Sequence, residues 1–279
     1  MQRLHTMQAL NTWPQQTLQG VVGVFTDIDD TLTTDGAITP DALQALHDLR
    51  TAGLVVIAIT GRPVGWSAPF VTQWPVDAIV AENGAVLLQN KKSLCGLING
   101  AQLLSKTYQQ DAHTRKLNVI RMQQVVQRVQ REVPAARPAQ DSAGRETDMA
   151  IDHSEFTTLP THEIEQVVAI MQREGMTATV SSIHINGWFG THNKLEGARW
   201  AIHTLYGRDL DAELQAWVYV GDSTNDQLMF EAFPHSVGVA NVRRFQAQLA
   251  HLPRYITDSE RGAGFAEVAQ AVLFARAQR

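Results

Sequence analysis

The sequence holds a single cysteine, Cys95, among 279 residues. One thiol excludes an intrachain disulfide framework and a cysteine-rich zinc site, and it fits a reducing compartment. Long apolar runs are also missing: the longest, Leu54–Ile59, falls far short of the roughly 20 residues that cross a bilayer. Met1 to Gly20 has no continuous apolar core of the kind a secretory signal carries. There is no Lys/Arg run and the net charge is −5, so the broad basic footprint of a nucleic-acid binder is absent. These absences predict a cytoplasmic protein whose partners include neither nucleic acid nor membrane; they carry no reading of oligomeric state. With 44% hydrophobic and 18% charged residues, what remains has the composition of a globular chain long enough for one large or two modest domains.

Hydrophobic patterning organises the chain. Val21–Thr26 is a short β-branched run that stops at a cluster of acids, as a buried parallel strand does at a functional edge. Thr39 is placed to cap a following helix, Pro40 suits its first turn, Leu43, Leu46 and Leu49 share one face, and Gly53 stops it. Further buried runs at Leu54–Ile59, Ala78–Ala81, Trp217–Val220 and Ser236–Val239 alternate with helical patterns, which predicts an α/β fold with a doubly wound parallel sheet. In such sheets ligands bind beyond the carboxyl ends of the strands. The middle of the chain differs in texture. A helical stretch around Val119–Val133, a loop over Ala135–Gly144, a strand at Met149–Ile151, a helix over Ile164–Glu174 and a strand near Thr177–Ile185 predict an inserted α+β module. The expected division is a leader over 1–20, a core over 21–88 and 191–279, and an insert over 89–190.

Unusual residues gather just after the buried runs. Asp27, Asp29 and Asp30 follow the first one, and three carboxylates there repel unless a cation or proton offsets them. Magnesium favours carboxylates and commonly joins a substrate phosphate; the competing reading is an acidic turn capping the next helix. A second acidic run, Gly221-Asp222-Ser223-Thr224-Asn225-Asp226, follows Trp217–Val220. If the two strands are neighbours, Asp222 meets Asp27 across one metal while Asp226 orients the ligands from behind. Thr60 and Gly61, again at a strand end, offer a hydroxyl and backbone amides to phosphate oxygens. Lys194, opening a helical pattern that runs to Tyr206, is placed to neutralise a phosphate and a nucleophilic carboxylate together.

Taken in order, Asp27-Ile28-Asp29-Asp30-Thr31, Thr60, Lys194 and Gly221-Asp222-Ser223-Thr224-Asn225-Asp226 resemble the haloacid dehalogenase superfamily. Glu82-Asn83-Gly84-Ala85 and Gly238-Val239-Ala240-Asn241, with the insert, resemble its sugar-phosphatase branch, whose Cof-like members carry an α/β cap. The resemblance implies a Rossmann-like core with an inserted cap and a magnesium-dependent phosphatase of small phosphorylated metabolites, a sugar phosphate among them. It implies that Asp27 attacks phosphorus and that Asp29 protonates the leaving oxygen and then activates water. Thr60, Gly61, Lys194 and Asn225 are implied to hold phosphate, and Asp27, Asp222 and the Asp29 backbone carbonyl to ligate Mg2+. Asp30 departs from the glycine many relatives have there.

Substrate choice is expected in the insert, where His184 and Asn186 share one strand face and are candidates to meet a sugar. Arg62, Glu82 and Asn83 fall between core and insert, where they are candidates to touch the leaving group or seal the closed site; the competing reading gives them packing or turn roles. His192 is a lone histidine with no visible partner. Two other readings of the whole remain open: a phosphomannomutase-like phosphoryl transferase, and a non-enzymatic sensor of a phosphorylated metabolite.

Overall fold

The computed structural model describes residues 6–92 and 102–278, so Cys95 lies outside the described residues. The chain begins with β1 (Gln8–Ala9), the one-turn α1 (Gln15–Leu18) and β2 (Gly23–Thr26), the first buried strand. A hairpin of β3 (Thr33–Thr34) and β4 (Ala37–Ile38) leads to α2 (Pro40–Thr51) and β5 (Val55–Ile59). The short α3 (Val64–Ser67) and α4 (Phe70–Gln73) precede β6 (Ala78–Ala81), β7 (Val86–Lys92) and β8 (Gln102–Tyr108). Then come α5 (Ala112–Glu132), β9 (Arg137–Pro138), β10 (Met149–Asp152), α6 (Thr161–Arg173), β11 (Thr177–Val180) and β12 (His184–Trp188). The last part holds α7 (Lys194–Tyr206), β13 (Trp217–Gly221), α8 (Gln227–Ala232), β14 (His235–Gly238), β15 (Tyr255–Ile256) and α9 (Arg261–Ala277).

Nine strands form one sheet in the order β1-β15-β14-β13-β2-β5-β6-β7-β8. Pairing is parallel from β1 to β6 and antiparallel for β7 and β8. Because successive side chains leave opposite faces, each core strand feeds two separate cores. Val24, Val56, Ile79 and Val220 pack with Leu46 and Leu49 of α2 and Phe265 and Val272 of α9. Phe25, Ile57, Val80 and Tyr219 pack with Ala198 and Ile202 of α7 and Phe230 of α8. This is the doubly wound α/β arrangement that the alternation of buried runs and helical patterns predicts. A second, antiparallel sheet of order β11-β12-β10-β9 is covered by α5 and α6, whose Met122, Val129, Val167 and Ile170 bury Ile151 and Ile185.

The structure differs from the sequence reading in several places. The border expected at 89 falls inside the β7–β8 hairpin, whose pairing carries the main sheet on to Tyr108. Within the expected leader, β1 pairs with β15 at the sheet edge, and Trp13 and Leu18 are buried in the core. The single strand expected near Thr177–Ile185 is two strands, because the Ser181 hydroxyl accepts from the His184 amide at 3.0 Å and turns the chain back on itself. The expected loop over Ala135–Gly144 contains β9, paired with β10. Thr39 sits at the start of α2, yet its hydroxyl makes no capping bond.

One close approach sets the position of α7. A Cβ on Gly197 would come 2.4 Å from the Gly84 Cα, and one on Gly84 would come 2.3 Å from the Asn193 carbonyl oxygen. Both obstacles are backbone, so neither can swing aside. Gly197→Ala is therefore expected to lower stability by about 1–3 kcal/mol through overpacking. Thermal unfolding followed by circular dichroism checks this, and an unchanged Tm would mean that α7 has room to retreat.

Candidate active site

Strand register brings the acidic runs together. In the main sheet β2 lies between β5 and β13, with Thr26 opposite Ala58 and Val220. Residues just past those positions, Asp27, Thr60 and Asp222, therefore leave the sheet at one edge, its carboxyl end. The Asp27 amide donates to the Val220 carbonyl at 2.8 Å, extending the ladder by one bond and pinning the residue. Lys194 enters from the first turn of α7, which the Asn193 side chain caps by accepting from the Glu196 amide at 3.0 Å.

The Lys194 Nζ donates to Asp27 Oδ1 and Asp226 Oδ1, each at 2.7 Å. Asp226 Oδ2 accepts from the Asp222 and Ser223 amides at 2.9 and 3.1 Å, while Oδ1 also accepts from the Tyr219 hydroxyl. Both oxygens of Asp226 are thus engaged, and it holds the lysine and the Asp222 loop in place from behind. Asp222 Oδ2 accepts from Asn241 at 3.1 Å, but its Oδ1 is buried without a hydrogen-bond partner. Asp27, Asp222 and Asp226 each bring a carboxylate oxygen within 4.8 Å of the others.

Charge at this point is uncompensated. Burial, opposed by Lys194 and reinforced by Asp226 and Asp29, pushes the Asp27 carboxyl up to about 7. Burial and the neighbouring Asp27 and Asp226 carry Asp222 well above the carboxylate range. Burial alone would lower the Lys194 ammonium, yet Asp226 and Asp27 hold it above its ordinary value. Three buried carboxylates against one ammonium, with a bare oxygen on Asp222, match the oxygen-donor set that a hard divalent cation takes.

The other expected residues separate into two groups. Thr60 is buried, and its hydroxyl accepts from the Arg62 amide at 3.0 Å, leaving its own proton free to donate. The Gly61 carbonyl faces the second sheet and accepts from Arg145 at 3.0 Å and Asn186 at 3.3 Å. Arg62 Nε donates to both oxygens of Asp29 at 2.9 and 3.0 Å, while its Nη1 and Nη2 reach Asp141 at 3.3 Å and Glu155 at 2.8 Å. Burial raises the Asp29 carboxyl above its ordinary value, against the pull of Arg62. Asn225 accepts from the Ser223 hydroxyl at 3.0 Å.

Glu82 and Asn83 clamp the two sheets together and do not line the cavity between them. The Glu82 carboxylate accepts from the amides of Val64, Glu146 and Thr147 and from the Thr147 hydroxyl. His184 and Asn186, the expected sugar contacts, also stay out of that lining. His184 is buried on Glu155 at 2.8 Å, and Asn186 is spent on Gly61 and on Asp148 at 3.3 Å. His192 stacks on Trp188, and burial pushes it down to about 4.

The order and spacing of these groups match a known family over residues 24–268. The chain belongs to the haloacid dehalogenase-like hydrolases. Among curated sequences no significant relative is found. This hydrolase shares its fold with the sucrose-phosphatase of Synechocystis, at 17% identity and a TM-score of 0.61 over 90% of this chain and 97% of that one. The C-terminal domain of the Candida albicans trehalose-6-phosphate phosphatase matches with a TM-score of 0.64 and 12% identity, over 96% and 99% of the two chains. A Thermoplasma acidophilum protein matches with a TM-score of 0.64 and 16% identity, over 90% and 98%. No helix among the described residues of the hydrolase is long and apolar enough to cross a membrane.

Sequence reasoning gave no role to several residues that hold the site. Asn241 Nδ2 donates to Asp222 and, at 3.0 Å, to the Asp30 carbonyl, tying the two acidic loops together. From the second sheet, Arg145 donates to Asp148 at 2.8 Å, and Asn83 reaches Asp148 at 3.3 Å. The run Arg145-Glu146-Thr147-Asp148 directly before β10 was the available signal: a cluster of charges beside a buried strand.

Burial pushes the Asp148 carboxyl from 3.8 to about 7, with Arg145 opposing. A carboxyl raised in the folded state binds more protons folded than unfolded, so its stabilising contribution is complete at low pH and is lost as pH rises through about 7. Asp148→Asn is expected to flatten the fall in Tm between about pH 4 and pH 7. Superimposable Tm-against-pH curves for variant and parent would refute this.

Proposed function

We propose that this hydrolase is a magnesium-dependent phosphomonoesterase that removes phosphate from a small phosphorylated metabolite, a sugar phosphate, through a covalent phosphoryl group on Asp27. The observation that carries this reading is Lys194 bridging Asp27 and Asp226 at 2.7 Å beside the unpartnered Asp222 oxygen. Such a cluster is built to receive a cation and an anion together. Asp27, Asp222 and the Asp29 backbone carbonyl would hold Mg2+, which when bound neutralises charge on the phosphoryl oxygens.

In this reading one Asp27 oxygen attacks phosphorus as the ester bond breaks, and Asp29 gives its proton to the leaving oxygen. Asp29 then takes a proton from water, whose oxygen displaces Asp27 and releases phosphate. The upward push on Asp29 suits a group that must hold a proton before it gives one. Lys194 and the Thr60 hydroxyl hold the phosphoryl oxygens, with the Gly61 backbone beside them. Asn225 holds the loop through its Oδ1, which accepts from Ser223, and its Nδ2 is the group that would donate to phosphate. The second sheet acts as a cap over the core, and Arg62 spans the junction. The likeness to a Synechocystis sucrose-phosphatase and a Candida albicans trehalose-6-phosphate phosphatase supports the substrate class.

Phosphate release from p-nitrophenyl phosphate and a sugar-phosphate panel, with and without magnesium, tests this reading. Release is expected to require magnesium and to vanish in Asp27→Asn. Asp29→Ala is expected to lose about 10²–10⁴-fold in kcat while remaining folded. Turnover that appears only with a sugar bisphosphate activator would point to a phosphomutase instead. Magnesium-independent release, or near-parental activity in Asp27→Asn, would refute the proposal.

A further inference from the structure

We propose that the cavity between the two sheets selects an uncharged, polyhydroxylated leaving group and disfavours one that carries a second anion, an inference that rests on the phosphatase reading and deepens it. The cavity, of about 370 Å³, is lined by four carboxylates, Asp29, Asp30, Asp35 and Glu155, and by two guanidiniums, Arg62 and Arg261. Carboxylates outnumber guanidiniums in this lining, and both guanidiniums already face carboxylates. Arg62 is shared among Asp29, Glu155 and, outside the lining, Asp141. Arg261 lies 3.1 Å from Asp30 and 3.6 Å from Asp35, close enough for charge pairing, although its Nε makes no hydrogen bond among the described residues. A carboxylate on the leaving group would have to displace a partner of Arg62 or compete with Asp30 and Asp35 for Arg261, and it would face the remaining acids. Hydroxyl groups break none, since a carboxylate oxygen can accept a further hydrogen bond beside the one it already holds.

The cap side of the cavity is a built surface. Buried Asp152 accepts from the amides of Ser154, Glu155 and Phe156 at 3.1, 2.9 and 2.9 Å, which winds the loop after β10 around one carboxylate. That winding presents Ser154, Glu155 and Phe156 together. Despite burial, hydrogen bonds from His184 and Arg62 hold the Glu155 carboxyl down at about 2, so its charge is permanent at working pH. Phe156 is 64% exposed and offers an apolar face at the mouth. An aromatic face beside convergent acceptors fits a sugar, which has a C–H face and a hydroxyl rim.

Matched esters test the inference with the full-length protein and magnesium: glucose 6-phosphate against 6-phosphogluconate, and glycerol 3-phosphate against 3-phosphoglycerate, with p-nitrophenyl phosphate reporting the basic reaction. In each pair kcat/KM for the neutral member is expected to exceed that of the acid by about tenfold or more, equivalent to about 1.4 kcal/mol. Asp35→Asn is expected to narrow that ratio by removing one of the two carboxylates that compete for Arg261; Asn tolerates the left-handed φ of 51° at this position. Glu155→Gln is expected to narrow it by removing a charge and freeing an Arg62 nitrogen. If p-nitrophenyl phosphate is turned over but the acids match or exceed their neutral partners, or neither neutral ester reacts, the charge selection is overturned and the phosphatase reading stands. A preference that is full-sized in both variants also overturns it. No turnover of any ester by folded protein overturns both.

Discussion

The Lys194 ammonium, held between Asp27 and Asp226 in a buried pocket, is the interaction on which the rest of this fold depends. Removing one partner from a buried pair leaves a charge that costs several kcal/mol. Here one cation serves two carboxylates, so that cost would fall on both. The architecture is arranged to deliver the ammonium to this place. Asn193 caps the first turn of α7, Gly84 and Gly197 let that turn press on the backbone after β6, and Tyr219 fixes Asp226 from the strand beside Asp27. These contacts hold side chains that would otherwise repel, and they leave one Asp222 oxygen bare.

A second constraint lies at the junction of the two sheets, where polar groups from both sides satisfy one another. Glu82, Asn83 and Gly84 have consecutive left-handed φ values of 51°, 54° and 109°. Backbone strain of this kind costs about 1–3 kcal/mol for each non-glycine residue. It persists because the turn directs the Glu82 carboxylate onto the amides of Glu146 and Thr147, and Asn83 onto Asp148. Arg145 and Asn186 return bonds to the Gly61 carbonyl. The same short turn also lies under the first turn of α7, so the clamp on the second sheet and the position of Lys194 share one piece of backbone.

Much of the core was legible because its signals are local. Buried β-branched runs that end in Asp27, Thr60 and Asp222 declare strands with polar ends, and parallel pairing then aligns those ends without further information. Lys194 at the start of a helical pattern was legible for the same reason. The second sheet was less so. Its seating on the core involves side chains that meet across long separations, such as Arg62 with Glu155 and Glu82 with Thr147, and no periodicity records those meetings. His184 and Asn186 illustrate the limit: alternation correctly puts them on one strand face, but whether that face meets a ligand or another protein surface depends on what packs against it. Leader residues Trp13 and Leu18 were missed because one buried aromatic and a two-residue edge strand leave almost no pattern.

Arg62 links the two constraints. Its amide donates to the Thr60 hydroxyl, and its guanidinium holds Asp29 on the core and Asp141 and Glu155 on the other side. With the second sheet removed, the guanidinium would keep only Asp29, and Glu155 and Asp141 would return to water with their charges. With the sheet in place, all three acids converge on one cation that is 5% exposed. Bringing the sheets together and compensating these charges are therefore a single event, because the desolvation cost of Arg62 is offset only when its partners arrive from both sides. It follows that the orientation of Asp29 responds to the position of a loop more than a hundred residues away in sequence. Whatever occupies the cavity acts on that loop and on Asp29 through the same side chain.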